Sequence, residues 1–177
     1  MKVLFVCLGN ICRSPTAHGV LEHKLAMAGL SDVVEVDSAG TAAWHIGKQP
    51  DLRSQKAARK RNYDLSHLRA RQAVAEDFFE FDYVLAMDKS NLHNLQKILP
   101  DDGLVSGLVD GLVGELKAEA KTQPQLFLQA FSTPNLKSQG LTEVPDPYYG
   151  EKDGFEEVLD MVEEACDQLI LDIKSKL

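Results

Sequence analysis

Short apolar runs alternate along the chain with longer segments whose apolar residues recur every three or four positions. The short runs are typical of buried strands, and the longer periodic segments are typical of amphipathic helices. The pattern predicts four strands, at residues 2–6, 33–36, 83–87 and 126–131. It predicts helices from about residue 14 to Gly29 and over residues 52–61, 89–99 and 153–173. This alternation favours an α/β fold, a single domain whose four-stranded parallel sheet has helices on both faces.

One segment, at about residues 101–123, departs from this alternation. It contains the Gly-Leu-Val triplet three times, in GLVSGLVDGLVG, and continues with the helix-prone sequence ELKAEAK. Segments of this kind are usually surface additions to a domain rather than parts of its core. We interpret it as a surface insertion, packed beside the core as a small amphipathic flap.

Composition narrows the class of protein. No uncharged apolar run approaches the roughly 18 residues that a membrane span needs, and the leading MKVLFV is too short for a signal peptide. Three cysteines, Cys7, Cys12 and Cys166, do not make the even, dense set of a secreted disulfide framework. We therefore expect a cytoplasmic protein that does not bind a membrane.

Charge argues against a general nucleic-acid binder, because the net charge is −8 and the pI about 5.1. The charge is uneven along the chain. Residues 1–100 contain 13 Lys and Arg against 11 Asp and Glu, a formal +2, whereas residues 101–177 contain 6 against 16, a formal −10. An anion-binding site is therefore expected in the first half, where local dipoles decide its position.

The stretch CLGNICRSP, residues 7–15, joins the first predicted strand to the first predicted helix. A loop that enters a helix points several backbone N–H groups at one place, which the helix dipole makes positive. Gly9 and Asn10 tolerate the left-handed backbone that such a loop needs, and Arg13 adds a planar fork of donors for phosphate oxygens. The same groups would stabilise a Cys7 thiolate. One loop thus offers an oxyanion pocket together with a nucleophile.

The stretch CLGNICRSP resembles the signature of the low-molecular-weight protein tyrosine phosphatases. The sequence VPDPYYG, residues 144–150, is similar to the general-acid loop of that family. Shorter blocks also resemble it, at residues 37–41, Trp44, Asp51 with Arg53, residues 67–71 and residues 86–88. The similarity covers nearly the whole chain except about residues 101–123.

The resemblance implies an enzyme that hydrolyses phosphotyrosine in a protein substrate through a phosphocysteine intermediate, without a metal or other cofactor. Cys7 would be the nucleophile, Arg13 would bind the phosphoryl oxygens, and Asp146 would act first as general acid and then as general base. Together with Cys7 and Arg13, the phosphate-binding loop would contain Leu8, Gly9, Asn10, Ile11, Cys12 and Ser14.

Three further roles follow from the resemblance. A hydrogen-bond network would support the loop through Asn10, Ser14, Ser38 and His67. Aromatic walls of the substrate cleft would be supplied by Trp44, Tyr148 and Tyr149. Under oxidation Cys12 would form a reversible disulfide with Cys7. By contrast, the sequence pattern places Cys166 in the core and assigns Asp88 to the cap of the helix after it.

Three other functions compete with this interpretation. Phosphoarginine phosphatases resemble this chain in the loop, but they have a Thr at the position of the apolar, branched Ile11. Arsenate reductases need further cysteines in a mobile segment, whereas this chain offers Cys166 on a predicted helix. A non-catalytic phosphate-binding module would be expected to lack Cys7 or Asp146. The sequence names neither the physiological substrate nor the oligomeric state.

Overall fold

A parallel sheet of four strands brings the predicted loop and its partners to one edge. The computed structural model describes residues 1–99, 104–109, 112–117, 120–148 and 153–177. Within these, the sheet has the order β2-β1-β3-β6. The strands are β1 (Lys2–Cys7), β2 (Glu35–Gly40), β3 (Tyr83–Ala86) and β6 (Gln125–Leu126).

The register of the central strands places their carboxyl ends side by side. Cys7 of β1 lies opposite Gly40 of β2, and Val6 lies opposite Ala86 of β3. Ligands of open α/β sheets bind outside the carboxyl ends of the strands. The predicted loop leaves β1 at this edge.

Seven helices surround this sheet in the described part of the chain. They are α1 (Arg13–Met27), α2 (Leu52–Lys60), α3 (Asp77–Glu80), α4 (Lys89–Ile98), α5 (Phe127–Ala130), α6 (Pro134–Ser138) and α7 (Gly154–Lys176). Side chains of β1 alternate between the two faces of the sheet. Phe5 packs in the apolar core that contains α1 and α7, and Leu4 in the core that contains α3 and α4. Helices on both faces confirm the predicted α/β fold, and Cys166 is fully buried in the former core.

Two of the predicted strands have different bounds. Residues 37–40, predicted to be loop, form the second half of β2 because they pair in parallel with β1. The prediction of a strand over residues 126–131 is wrong beyond Leu126, where helix α5 begins. Phe127 and Leu128 are fully buried in that helix. A short apolar run fits a buried helical turn as well as a strand, so its periodicity could not distinguish them.

The predicted insertion contains two antiparallel strands, β4 (Leu104–Val109) and β5 (Leu112–Lys117), which pair from Leu104 opposite Lys117 to Val109 opposite Leu112. Residues 115–117 of the helix-prone sequence are therefore strand rather than helix. The single domain and the surface insertion stay predictions. Within the described ranges, none of the helices combines the length and the apolar character that a membrane crossing requires.

Candidate active site

The loop of residues 7–14, called the phosphate loop below, turns its carbonyl groups outward. The carbonyl oxygens of Cys7, Leu8 and Ile11 accept hydrogen bonds from the N–H groups of Thr41 (2.9 Å), Ala42 (2.9 Å) and Asp51 (2.7 Å) respectively. In a trans peptide the N–H of the following residue points opposite to the carbonyl. The N–H groups after these carbonyls therefore point to the inside of the loop, where an anion can bind them.

Gly40 of β2 allows this loop to lie against the sheet. A Cβ atom at Gly40 would come within 2.8 Å of the Leu8 carbonyl oxygen and 3.1 Å of the Gly9 carbonyl carbon. Both are backbone atoms, so a side chain here would displace the loop itself. From sequence Gly40 was expected in a loop after the predicted strand 33–36, and this role of Gly40 was missed.

Cys7 lies at the floor of the loop, just before the N-terminus of α1. Its side chain is buried, and two donors point at Sγ: the backbone N–H of Asn10 at 3.2 Å and the hydroxyl of Ser14 at 3.1 Å. Both donors, like the positive end of the helix dipole, face the sulfur atom. The structure thus places Cys7 as sequence analysis expected of a nucleophile.

Asn10 joins the loop to its surroundings. Its backbone is in the left-handed region, with φ of 55°, and its buried side-chain amide donates to the hydroxyls of Ser14 and Ser38, each at 2.9 Å. Its amide oxygen accepts from the backbone N–H of Arg71 at 2.9 Å. The expected network of Asn10, Ser14 and Ser38 is present in the structure.

The histidine that contacts Ser38 in this network is His18 on α1, where His67 was expected. His18 is buried, and its Nδ1 lies 3.3 Å from the Ser38 hydroxyl. The His67 side chain is 53% exposed and contacts Glu22 instead, with 3.1 Å between Nε2 and Oε2. The segment before His67 packs against α1 at Gly19 through Leu65, and His67 itself lies beyond this contact at the surface.

Hydrogen bonding fixes the direction of this network. Because Ser38 accepts from Asn10, its own hydrogen is available to Nδ1 of His18, which leaves Nε2–H for Glu22 at 3.2 Å. Burial raises the pKa of Glu22, but its interactions with His18 and His67 outweigh burial and lower that pKa. Glu22 is thus held as the carboxylate that orients His18. The spacing of Ser14, His18 and Glu22, four residues apart on one helix face, could have indicated this arrangement.

Arg13 is buried beside Cys7 with its guanidinium held in place by the chain. One terminal nitrogen donates to Asp88 (2.5 Å) and to the Val144 carbonyl (3.2 Å), and the other donates to Asp146 (3.2 Å). These bonds leave Nε–H and one terminal N–H, the pair that binds two oxygens of a phosphoryl group. Burial lowers the pKa of Arg13, but the negative charges of Cys7, Asp88 and Asp146 outweigh it and raise that pKa.

Asp88 has a second role that the sequence did not reveal. It caps α4 as predicted, by accepting from the Asn91 N–H at 2.7 Å, and its other oxygen accepts from Arg13. An Asp at this position can cap the following helix or accept a hydrogen bond from an arginine. The sequence motif alone could not distinguish these two roles.

Asp146 reaches the site because its loop is tied to the end of β3. The N–H of Val144 donates to the Met87 carbonyl at 2.7 Å, which brings the loop to the carboxyl edge of the sheet. One oxygen of Asp146 accepts from Tyr148 N–H at 3.0 Å and the other from Arg13. Its carboxyl group therefore faces the phosphate loop from above, although Asp146 lies 133 residues after Arg13 in the sequence.

A cavity of about 120 Å³ opens above the phosphate loop. Trp44 and Tyr148 line it, as predicted of the cleft walls, and Tyr149 lies outside the described residues. The lining also includes Ile11 and His45, of which His45 was missed by the sequence analysis. Aromatic and aliphatic walls beside a cationic floor can hold an aryl phosphate.

Cys12 is buried in the phosphate loop and, like Cys7, lines the cavity. Burial raises the pKa of its thiol to about 12, and the nearby charges of Asp51 and Cys7 act in the same direction. At neutral pH Cys12 is therefore a neutral thiol, whereas two hydrogen-bond donors face the sulfur of Cys7. The two cysteines of the loop differ in chemistry.

Comparisons with known proteins agree with this geometry. A family model described as low molecular weight phosphotyrosine protein phosphatase matches residues 2–110 and 115–177. A phosphatase of that description from Schizosaccharomyces pombe is 38% identical over 156 residues, 88% of this chain and 85% of that protein. A protein tyrosine phosphatase from Entamoeba histolytica superposes with a TM-score of 0.81 at 37% identity, covering 100% of this chain and 99% of that chain. The Drosophila arginine phosphatase superposes with a TM-score of 0.80 at 30% identity, covering 98% of each chain. The chain therefore belongs to the low-molecular-weight phosphotyrosine protein phosphatase family.

Proposed function

We propose that this chain hydrolyses phosphotyrosine in protein substrates through a phosphocysteine intermediate on Cys7. The observation that carries the proposal is the position of Cys7 Sγ, which receives two hydrogen bonds at the floor of a loop of inward N–H groups. Relatives named as tyrosine phosphatases support the same substrate class.

The first step transfers the phosphoryl group to sulfur. The Cys7 thiolate forms a bond to phosphorus while the bond between phosphorus and the phenolic oxygen breaks. Charge that collects on the equatorial oxygens is stabilised by the loop N–H groups and by Arg13. Asp146, in its acid form, gives its proton to the departing oxygen, so tyrosine leaves as a neutral phenol.

The second step returns the enzyme to its starting state. Asp146, now a carboxylate, takes a proton from a water molecule whose oxygen attacks phosphorus. The sulfur–phosphorus bond breaks, which regenerates the Cys7 thiolate, the acid form of Asp146 and inorganic phosphate. The Ser14 hydroxyl stabilises the departing thiolate in this step.

Replacement of the nucleophile tests the proposal. Cys7→Ser should abolish turnover of p-nitrophenyl phosphate and phosphotyrosine peptides, while calorimetric binding of tungstate, a phosphate analogue, is retained. Cys166→Ala, which alters a buried cysteine outside the site, should keep turnover. Normal turnover in Cys7→Ser would contradict the assignment.

Phosphoarginine is the second candidate substrate, because the Drosophila arginine phosphatase is among the similar structures. Ile11 lines the cavity with an apolar surface, which suits a phenyl ring better than a charged guanidinium. Matched peptides with phosphotyrosine or phosphoarginine decide between them. We expect kcat/KM to favour phosphotyrosine by at least about tenfold, and a reversed preference would assign the enzyme to phosphoarginine.

We also propose that the enzyme works in a reducing cytoplasm and that Cys12 protects Cys7 there. Peroxide would oxidise the Cys7 thiolate to a sulfenic acid, and the Cys12 thiol would then form the disulfide with release of water. Because the pKa of Cys12 is about 12, iodoacetamide at pH 8 should alkylate Cys7 and spare Cys12. After peroxide, thiol reductant should restore most activity of the parent but little of Cys12→Ser. Equal recovery would refute the protective disulfide.

A further inference from the structure

The region beside the cleft is basic, although the chain as a whole is acidic. Residues 44–61 contain six Lys and Arg and one Asp, a formal +5, in a chain with a net charge of −8. This region begins at Trp44 in the wall of the cleft and ends just after helix α2. The strongest local reversal of charge in the first half of the chain therefore adjoins the site.

Part of this positive charge is neutralised by neighbouring residues. Arg53 pairs with Asp51 at 2.8 Å, and Lys60 and Arg61 pair with Glu156 of α7 at 2.7 and 3.0 Å. The pairs of Lys60 and Arg61 with Glu156 hold the end of α2 against the acidic helix α7. They also leave fewer acidic groups of α7 to repel a negatively charged ligand.

Two cations on the exposed face of α2 are different. Neither Lys56 nor Arg59 forms an ion pair with any side chain in the described part of the molecule. Both are exposed, and with Leu52 they form one stripe at the spacing of helical turns. We call this stripe of Leu52, Lys56 and Arg59 the α2 ridge.

The α2 ridge begins at the mouth of the cleft. The N–H of Asp51, just before α2, donates to the Ile11 carbonyl of the phosphate loop at 2.7 Å. The guanidinium of Arg53 lies over the ring of Tyr148, 4.9 Å from its centroid. Since both anchors fix the first turn of α2 to the cleft, the ridge leads outward from the bound phosphotyrosine.

Apolar side chains are exposed at this same mouth. Trp44 is 73% exposed, Ile46 57% and Leu52 79%. Large apolar side chains grouped beside a site, with cations beyond them, are typical of a surface that binds another chain.

We propose that the α2 ridge docks an acidic stretch of the same polypeptide that carries the phosphotyrosine. The proposal rests on the proposed function, since the phosphotyrosine anchors the segment in the cleft. Carboxylates of the substrate pair with Lys56 and Arg59, while its apolar side chains contact Leu52 and Trp44. Charge complementarity selects an acidic occupant, because neither Lys56 nor Arg59 forms an ion pair within the described chain and Arg59 interacts with Asp64 only at longer range.

The length of the ridge sets where the acidic residues lie. From Leu52 to Arg59 the helix rises about 10 Å, at roughly 1.5 Å per residue. An extended peptide covers that distance in about three residues. The acidic residues of the preferred substrate therefore lie within a stretch of about three positions, on the side of the phosphotyrosine that runs along α2.

Three phosphotyrosine peptides test the proposal. One has three acidic residues on the N-terminal side, one has them on the C-terminal side, and one has Gln and Asn instead. At low salt, kcat/KM should be about three- to tenfold higher for one of the acidic peptides than for the neutral peptide, and high salt should remove this preference.

The double variant Lys56→Glu/Arg59→Glu should lose or invert the preference. The control Lys137→Glu/Lys174→Glu makes the same change in formal charge at exposed residues of α6 and α7 and should keep it. Turnover of p-nitrophenyl phosphate should be the same in all three proteins. If the Glu variant loses that turnover, Lys56→Gln/Arg59→Gln should abolish the preference without damage to the site.

Two results would overturn the docking proposal: no preference in the parent, or a preference that persists in both ridge variants. An equal loss in the control would assign the effect to overall charge and would also overturn it. Failure of the parent to hydrolyse even the neutral peptide would instead contradict the proposed function.

Discussion

Within the cleft, the phosphate loop and the rim, which consists of the wall residues Trp44 and Tyr148, are held in contrasting ways. Asn10, Ser14 and Ser38 are buried, and the side-chain amide of Asn10 donates hydrogen bonds to both serine hydroxyls. At the rim Trp44 is mostly exposed, and the partners of Tyr148 include Arg53 and Asp146. The loop is thus tied to the sheet and to α1 by buried hydrogen bonds, whereas the exposed side chains of the rim are not part of that network.

This difference separates two functions of the same site. Groups of the loop act on the phosphoryl group, whose charge changes most in the transition state, so their loss should lower kcat. Groups of the rim contact parts of the substrate that do not react, so their loss should mainly raise KM. Substitutions in the two regions should therefore differ in kind as well as in size.

The largest effect is expected at Arg13. Arg13→Lys keeps the charge but removes the planar fork, and it leaves Asp88 and the Val144 carbonyl with fewer donors. We expect kcat to fall by about 10²–10³ for all aryl phosphates. Steady-state kinetics measure this fall in kcat. The control is Arg69→Lys, the same substitution at an exposed position, which should leave kcat unchanged. Near-normal kcat in Arg13→Lys would show that a point charge is sufficient.

Asp146 should show an effect that depends on the leaving group. Asp146→Asn keeps the size and removes the acid, so turnover of phosphotyrosine, whose phenol has a pKa of about 10, should fall by about 10²–10³. Turnover of an activated aryl phosphate should fall much less, because its phenolate departs without a proton. Equal losses for both substrates would assign Asp146 to the positioning of Arg13 rather than to proton transfer.

A smaller effect separates the two histidines. His18→Ala should lower kcat about five- to tenfold, which corresponds to roughly 1 kcal/mol of hydrogen bonding, and His67→Ala less than about twofold. His18→Asn, which can accept from Ser38, should restore part of the loss.

The pH dependence of Cys7 alkylation by iodoacetamide distinguishes this role from a general loss of structure. The midpoint should move to higher pH in His18→Ala, because the Ser14 hydroxyl is then less well fixed on Sγ. The midpoint in His67→Ala should stay where the parent has it. A larger effect of His67→Ala than of His18→Ala would restore His67 to the network.

The smallest effect is expected at the rim. Trp44→Ala should raise KM for phosphotyrosine peptides about two- to tenfold, the range of one lost aromatic contact, and leave kcat nearly unchanged. Met27→Ala, which removes another exposed apolar side chain, is the control and should change neither constant. A fall in kcat without a change in KM would place Trp44 with the loop rather than with the rim.

The same contrast explains what could be predicted from sequence. The phosphate loop is one contiguous stretch between a strand and a helix, so residue types and spacing were enough to place Cys7 and Arg13. Residues 37–40 were misassigned because their own preference for strand is low. They form strand only through their pairing with β1, which sequence does not show.

The support of the loop was harder to predict, because it depends on tertiary packing. Whether His18 or His67 reaches Ser38 is decided by how the segment around His67 lies against α1, and sequence spacing does not show this. The second role of Asp88 depends in the same way on Arg13, which lies 75 residues earlier in the chain.

The central claim is that a thiolate at the floor of a preformed loop takes the phosphoryl group from phosphotyrosine. Rapid chemical quenching during turnover of a phosphotyrosine peptide, followed by mass spectrometry of proteolytic fragments, tests it most directly. We expect phosphate on Cys7 in the parent, and none on the Cys7→Ser protein or on Cys12 and Cys166. Turnover in the parent with no phosphate on Cys7 under conditions that slow its hydrolysis, or phosphate on another residue, would contradict it.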